Sequence, residues 1–299
     1  MRRWLARGLL LSLVAGLVAA GVTWWTVRHL EHALTRVPMA LDALEDRPAD
    51  TAALDLLLVL TAPADEPGEP LEWAHAGPVA SVMLMHLDAD RRGVGLVALP
   101  TPLTSGPAEE GPLPLAAAVE QMTGVHLDHV AVLEWRAIAD LVDASDGVEV
   151  ELPGGIAGVE PGLRTLDAVH AWSFVRDYPG PLAGPPGASR RMQFLLRTVL
   201  EDSLHQEMAR NPYQLARFLD HVAHGLVVDE GWQLREMVDE AWSMRRLRSF
   251  DIRFVVAPTN GTGTRLQPED SAALWDALRG DTLDSWMGTH PGCETARRL

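Results

Sequence analysis

The chain has 299 residues with 41 acidic and 25 basic side chains, every basic one an arginine, and a formal net charge of −16. That balance excludes a general nucleic-acid binder, which needs a basic face against the phosphate backbone, so no nucleic acid is expected as a partner. The single cysteine, Cys293, excludes an intrachain disulfide and a cysteine-type metal site.

Gly8–Val27 is an uncharged, largely apolar run, long enough as a helix to cross a hydrocarbon core of about 30 Å. Arg2, Arg3 and Arg7 precede it and Trp24 and Trp25 close it. This predicts residues 1–7 in the cytoplasm, a single-pass transmembrane helix over 8–27 and an extracytoplasmic remainder at the cell membrane. A signal peptide cleaved near Val18-Ala19-Ala20 competes, but the length of the run and the tryptophans favour a retained anchor. Residues 28–50 read as a polar, partly helical stalk, 51–280 as one domain and 281–299 as a tail carrying an exposed Cys293.

Within the domain, "LDLLLVLTA" from Leu54 is a strand buried on both faces. Ser81–Leu87 and Val94–Leu99 form a hairpin around Asp88, Asp90 and Gly93. Thr101–Pro114 is a Pro/Gly-rich loop, and Pro114–Thr123 is a helix closed by Gly124. "HLDHVAVLEW" is a strand, Trp135–Val142 keeps helical spacing, and "SDGVEVELP" returns to a strand. A short helix follows over Leu166–Ala171. From Ser189, Met192, Leu195, Leu196, Val199, Leu200 and Leu204 mark a core-packed helix. Asn211–Ala223 and Leu234–Trp242 are further helices, "FDIRFVVAP" is a late strand, and Pro268–Leu278 is a last helix. The alternation predicts a layered α/β/α domain with a central mixed β-sheet, preceded by a single N-terminal transmembrane helix.

The histidine pairs His126/His129 and His221/His224 lack a third ligand in sequence, so no metal ligand set is assigned. No G-x-S-x-G, Walker loop or H-E-x-x-H is present, and the catalytic residues stay unknown. "WSFVRDYPGPLAGPPGASRRMQF" is different. Arg176 precedes a Pro/Gly excursion, and Arg190 and Arg191 open the helix after it. Cations there oppose the helix dipole, whereas a bound anion would use both the guanidinium forks and the free N–H groups. The alternative is that these arginines pair with Asp177 or face solvent.

The order of these segments resembles the LytR–CpsA–Psr family of cell-envelope transferases. "ASVMLMHLD" stands where that family has S-D-T-x-M-L, and "VALPTPL" where it has S-I-P-R-D. "VEQMTGVHLDHVAV", "LVDASDGVEVELP", "PGLRTLDAVHAWSFVR" and "RRMQFLL" follow in the family's order. The resemblance runs from Leu54 to Leu226. It implies transfer of polyprenyl-pyrophosphate-linked glycopolymers to the wall, with arginines on the pyrophosphate and acidic residues holding Mg²⁺. Arg176 matches the family arginine ending Y-V-R, and Arg190 the one opening R-Q-Q; Arg191 stands beside it. Departures fall on charged positions. Ala80 replaces the aspartate of S-D-T, Pro100-Thr101-Pro102 replaces P-R-D, and Tyr178 replaces a second arginine. Asp65, Asp88 and Asp177 are the nearest substitutes for metal ligands. The resemblance thus implies a divergent member whose Arg176, Arg190 and Arg191 bind a lipid pyrophosphate with weak or no catalysis. The alternatives are an active, Mg²⁺-dependent transferase with relocated groups, and a scaffold or regulator with an envelope protein partner.

Overall fold

Strand β2 (Leu54–Thr61) carries an apolar side chain at most positions because it is covered on both sides. Leu57 and Val59 enter one core, and Leu60 enters the other. A fully buried leucine contributes roughly 1.5–3 kcal/mol relative to an exposed one, so this run anchors the sheet. The computed structural model describes residues 31–100, 103, 106–179, 185–204, 220–244, 247–248, 251–260 and 265–295.

Around β2 lie β1 (Thr35–Val37), β4 (Ala76–Leu87), β5 (Val94–Ala98), β6 (His129–Leu133), β9 (Leu226–Asp229) and β10 (Ile252–Val256). Their order is β1-β9-β6-β2-β4-β5-β10, with β3 (Pro70–Leu71) beside β4. β6 is parallel to β2, β10 is parallel to β5, and β4 runs antiparallel between β2 and β5. The mixed sheet is therefore as expected, and the strands β2, β5, β6 and β10 end at a common carboxyl edge.

One face of the sheet is covered by α1 (Pro107–Glu110), α2 (Pro112–Thr123), α7 (Pro268–Arg279) and α8 (Leu283–Thr289). The other carries α3 (Trp135–Ala144), α4 (Ala168–Asp177), α5 (Pro185–Leu204) and the hairpin of β7 (Val148–Leu152) and β8 (Gly162–Leu166). Helix α6 (Leu234–Ser243) packs through Met237 near Trp232 on this second side. The α2 helix ends on Gly124 at φ 64, a left-handed conformation that favours glycine.

Several sequence expectations change. The transmembrane helix at 8–27 lies outside the described residues, and among the described residues no helix is long and apolar enough to cross a membrane. Part of the expected stalk belongs to the domain: β1 pairs with β9, and Val37, Met39 and Leu41 are buried. The loop over 101–114 contains α1 and the start of α2, because proline is accommodated in a first helical turn. For the same reason α5 begins at Pro185, and Arg190 and Arg191 sit in its second turn. The helix expected at Leu166 starts at Ala168, capped by Asp167, and runs to Asp177. Of the helix expected over Asn211–Ala223, residues 205–219 lie outside the described residues. Beyond Gly280, in the segment read as a tail, α8 buries Leu283, Trp286 and Met287. Cys293 is half-buried there rather than exposed, and burial raises its thiol pKa. On α6, Val238 and Trp242 are exposed, so its stripe is not continuous core.

Candidate functional site

At the carboxyl edge, Thr61 ends β2, Ala98 ends β5, Leu133 ends β6 and Val256 ends β10. In open α/β sheets the crevice outside such strand ends is where ligands bind. Ser81 pairs with Leu60 in the ladder, and its buried Oγ has no hydrogen-bond partner among the described residues. Ala80 precedes it, so the expected carboxylate is missing from this strand. Thr101 and Pro102 lie outside the described residues.

Arg176 lies at the end of α4. Its Nη1 donates to Glu66 Oε1 at 2.5 Å and Oε2 at 2.7 Å. Its Nε and Nη2 donate to Asp177 Oδ2 at 2.7 and 2.5 Å. Glu66 also accepts from Trp172 Nε1 at 2.8 Å, and Trp172 leans on Trp135 with ring centroids 5.0 Å apart. Burial pushes the Glu66 carboxyl up, but bonds from Arg176 and Trp172 outweigh it and hold the group below its ordinary value. Asp177 first, then Glu66, raise the pKa of Arg176. The Arg176 side chain remains 45% exposed, so its pairs face solvent.

Arg191 is 1% exposed. Its Nε and Nη2 donate to Val175 O at 2.9 and 2.6 Å, and Nη2 also reaches Arg176 O at 3.4 Å. These are carbonyls that a helix end leaves unpaired, so Arg191 caps α4 and places its charge against the negative end of that helix's dipole. Burial pushes its pKa down to about 10. Arg190 points elsewhere, donating to Gly292 O at 2.8 Å and Glu294 O at 3.3 Å. The structure thus brings Arg176 and Arg191 together at the end of α4 and turns Arg190 toward the C-terminal segment.

Sequence reasoning missed Gln193 and Arg197. Gln193 is buried, donates to Leu96 O and Val255 O, and accepts from Thr295 Oγ1. Arg197 donates to Thr295 O at 2.9 Å and lies 4.7 Å from the Phe254 ring centroid. With Arg190 they clamp residues 292–295 onto α5. A polar residue on an otherwise apolar helix face was the only signal available.

A cation bound to phosphate needs one or two carboxylates. At this edge Glu66 and Asp177 are both engaged by Arg176, and Asp65, read as a substitute, is exposed and belongs to no group with metal-ligand geometry among the described residues. Asp88, read as a substitute, stands at the opposite end of β4. The two groups among the described residues with metal-ligand geometry, Asp50/His126/Asp128 and His86/Asp88/Asp281, belong to that opposite end. The residues around Arg176 therefore do not fit Mg²⁺. The histidine pairs also separate: His126 meets Pro48 O, His129 meets Asp229, His221 is 3.8 Å from Asp140, and His224 meets Asp220. An open cleft of about 390 Å³ at the other end of α4 is lined by Asp143, Asp146 and Asp167, which repel an anion.

No family model matches the sequence. The cell wall biosynthesis protein LcpA of Corynebacterium glutamicum is 29% identical over 158 residues, covering 50% of this chain and 30% of that protein. The probable cell wall biosynthesis protein LcpB of the same organism is 25% identical over 191 residues, covering 59% and 42%. The chain thus matches less than half the length of these curated relatives. Among solved structures, a LytR-Csp2A-Psr enzyme from Actinomyces oris superposes with a TM-score of 0.63 at 18% identity, over 82% of this chain and 95% of that one. TagT bound to LI-WTA superposes with a TM-score of 0.53 at 13% identity, over 80% and 98%. The structural likeness shows the fold; joined to the sequence similarity with two cell wall biosynthesis proteins, it supports the resemblance to the LytR–CpsA–Psr family.

Proposed function

We propose that this chain is a cell-envelope protein that engages polyprenyl-pyrophosphate-linked glycopolymer precursors with weak or no catalysis. It is held at the membrane by the segment 8–27, with its α/β domain on the outer side. The observation that carries this reading is the state of Arg176. It stands on the carboxyl edge, its main-chain carbonyl near the Arg191 guanidinium, but its own guanidinium is neutralised by Glu66 and Asp177 where an active transferase would place a metal-bound phosphate. Exposed ion pairs of this kind are worth about 0–1 kcal/mol, so a diphosphate carrying more charge can displace the carboxylates from Arg176. Arg191 is committed to capping α4 and supplies field rather than a direct contact. TagT, a structural neighbour, has been solved with a ligand named LI-WTA, which supports lipid-linked wall polymers as the ligand class here.

The test is thermal unfolding of the full chain in detergent with an undecaprenyl-pyrophosphate analogue. Stabilisation is expected, and the Arg176→Ala variant should lose it. An unshifted wild-type transition refutes the binding reading. Mg²⁺- or Mn²⁺-dependent release of the lipid carrier from a lipid-linked donor would establish an active transferase instead.

A further inference from the structure

At the opposite end of the sheet, β2 and β4 pair Asp55 directly with His86. The His86 ring is fully buried, and its Nδ1 lies 2.7 Å from Asp55 Oδ1. Asp55 is itself buried, and its main chain is held in place. Its N–H donates to Asp128 Oδ2 at 2.7 Å, and its carbonyl accepts from Asp128 N at 2.8 Å. A carboxylate on Nδ1 holds a proton there and aims Nε2 at Asp281 Oδ1, so that loss of the Nε2 proton to an incoming metal leaves its lone pair facing the ion. That is the arrangement that carboxylates impose on metal-binding histidines.

Nε2 faces two further carboxylates. Asp281 Oδ1 is 3.2 Å away and Asp88 Oδ1 is 3.8 Å away, and all three candidate ligand atoms lie within 4.8 Å of one another. Tetrahedral ligands at about 2.1 Å from a zinc ion stand about 3.4 Å apart, so these spacings bracket the requirement. Asp88 starts the β4–β5 turn. Asp281 lies between α7 and α8 in the left-handed region at φ 56, with Oδ2 accepting from Ala89 N at 3.2 Å. Aspartate tolerates that conformation better than most residues, at some cost. The side chains of Asp88 and Asp281 are partly exposed, so an ion can enter from solvent.

We propose that His86, Asp88 and Asp281 bind a transition-metal dication of the zinc class, with Asp55 as the positioning residue behind the imidazole. The imidazole selects such a metal over Mg²⁺ or Ca²⁺, which prefer all-oxygen sites. Three protein ligands leave one position for water. The ion would staple the β4–β5 turn to the α7–α8 turn, two segments far apart in the chain. It stands at the other end of the sheet from Arg176 and is independent of the lipid-binding reading.

The test uses the full chain, stripped with a chelator and titrated with Zn²⁺. One ion per chain should bind, and at a hundredfold excess over Kd the melting temperature should rise by about 5 °C or more. Co²⁺ in place of Zn²⁺ should give visible d–d absorbance. Asp88→Asn and Asp281→Asn change partly exposed carboxylates and should leave the chain folded. Together they should weaken Zn²⁺ at least tenfold and abolish the Co²⁺ signal. Asp55→Asn should weaken Zn²⁺ by about 10–100-fold. Arg176→Ala should leave zinc binding unchanged. No zinc-dependent shift in the wild type, or an equal shift in the double variant, overturns the proposal. So does a signal that follows Asp50→Asn and Asp128→Asn instead.

Discussion

The two ends of the central sheet have opposite charge economies. At the carboxyl edge, where the family resemblance directs an anion to Arg176, the cations are already satisfied by Glu66, Asp177 and backbone carbonyls. At the amino end of β2, carboxylates gather around one buried imidazole. A guanidinium in the right place on the chain is therefore not yet an anion site, since what matters is which partner holds it. The end without a motif carries the larger imbalance.

The largest effect expected from breaking this contrast is at Asp55. Asp55→Ala leaves His86 buried without its carboxylate, and losing one member of a buried pair costs about 3–5 kcal/mol. Urea unfolding of the metal-free chain measures it, and a loss below about 1 kcal/mol would mean the pair is not held as described. Arg191→Ala comes next. It strips the cap from α4 and leaves a cavity, for about 2–4 kcal/mol. Arg191→Lys should recover only part of this, because one ammonium cannot reproduce the fork that spans Val175 O and Arg176 O. Full recovery would show that charge alone matters there.

These two residues also mark what the sequence could and could not reveal. The apolar run of β2, the β4–β5 hairpin and the stripe Met192, Leu195, Leu196 and Val199 were legible because burial on a regular element writes its own period. β1, β8 and β9 were not. They have three, five and four residues, and β8 alternates too little apolar character to signal a strand. Arg176 and Arg190 were found through motif order, but their partners were hidden. Glu66 is 110 positions from Arg176, and Gly292 is 102 from Arg190. Arg191 was read as facing a ligand, whereas it faces the end of the preceding helix, a contact that only tertiary packing creates. The His86 group joins positions 55, 86, 88 and 281, a spacing no local motif encodes.

The ends should also differ in the sign of their pH dependence. Glu66 has a lowered pKa, so its contribution is complete above the unfolded value near 4.5 and is lost as pH falls through the folded value. Near the amino end of β6, Glu240 accepts from Trp232 Nε1, and burial raises its pKa. Its contribution is complete below 4.5 and is lost as pH rises through the folded value. Glu240→Gln keeps the acceptor and drops the charge, so it should stabilise the chain at pH 7 and leave it unchanged well below pH 4.5. Glu66→Gln should destabilise at pH 7 and converge with wild type at low pH. Chemical unfolding across that range checks both, and slopes of the same sign would erase the contrast.

The smallest effect is the most informative about function. At neutral pH, Glu66→Gln should cost only about 0–1 kcal/mol of stability, because Arg176 is nearly half exposed and keeps Asp177. If the Arg176 guanidinium is the receptor for a diphosphate head, that same substitution removes a competitor for it. Relief of about 1 kcal/mol corresponds to roughly fivefold tighter binding of an undecaprenyl-pyrophosphate analogue. Arg176→Ala should act in the opposite direction. A variant that loses stability without gaining affinity would assign the Glu66–Arg176 pair to holding the end of α4 in place.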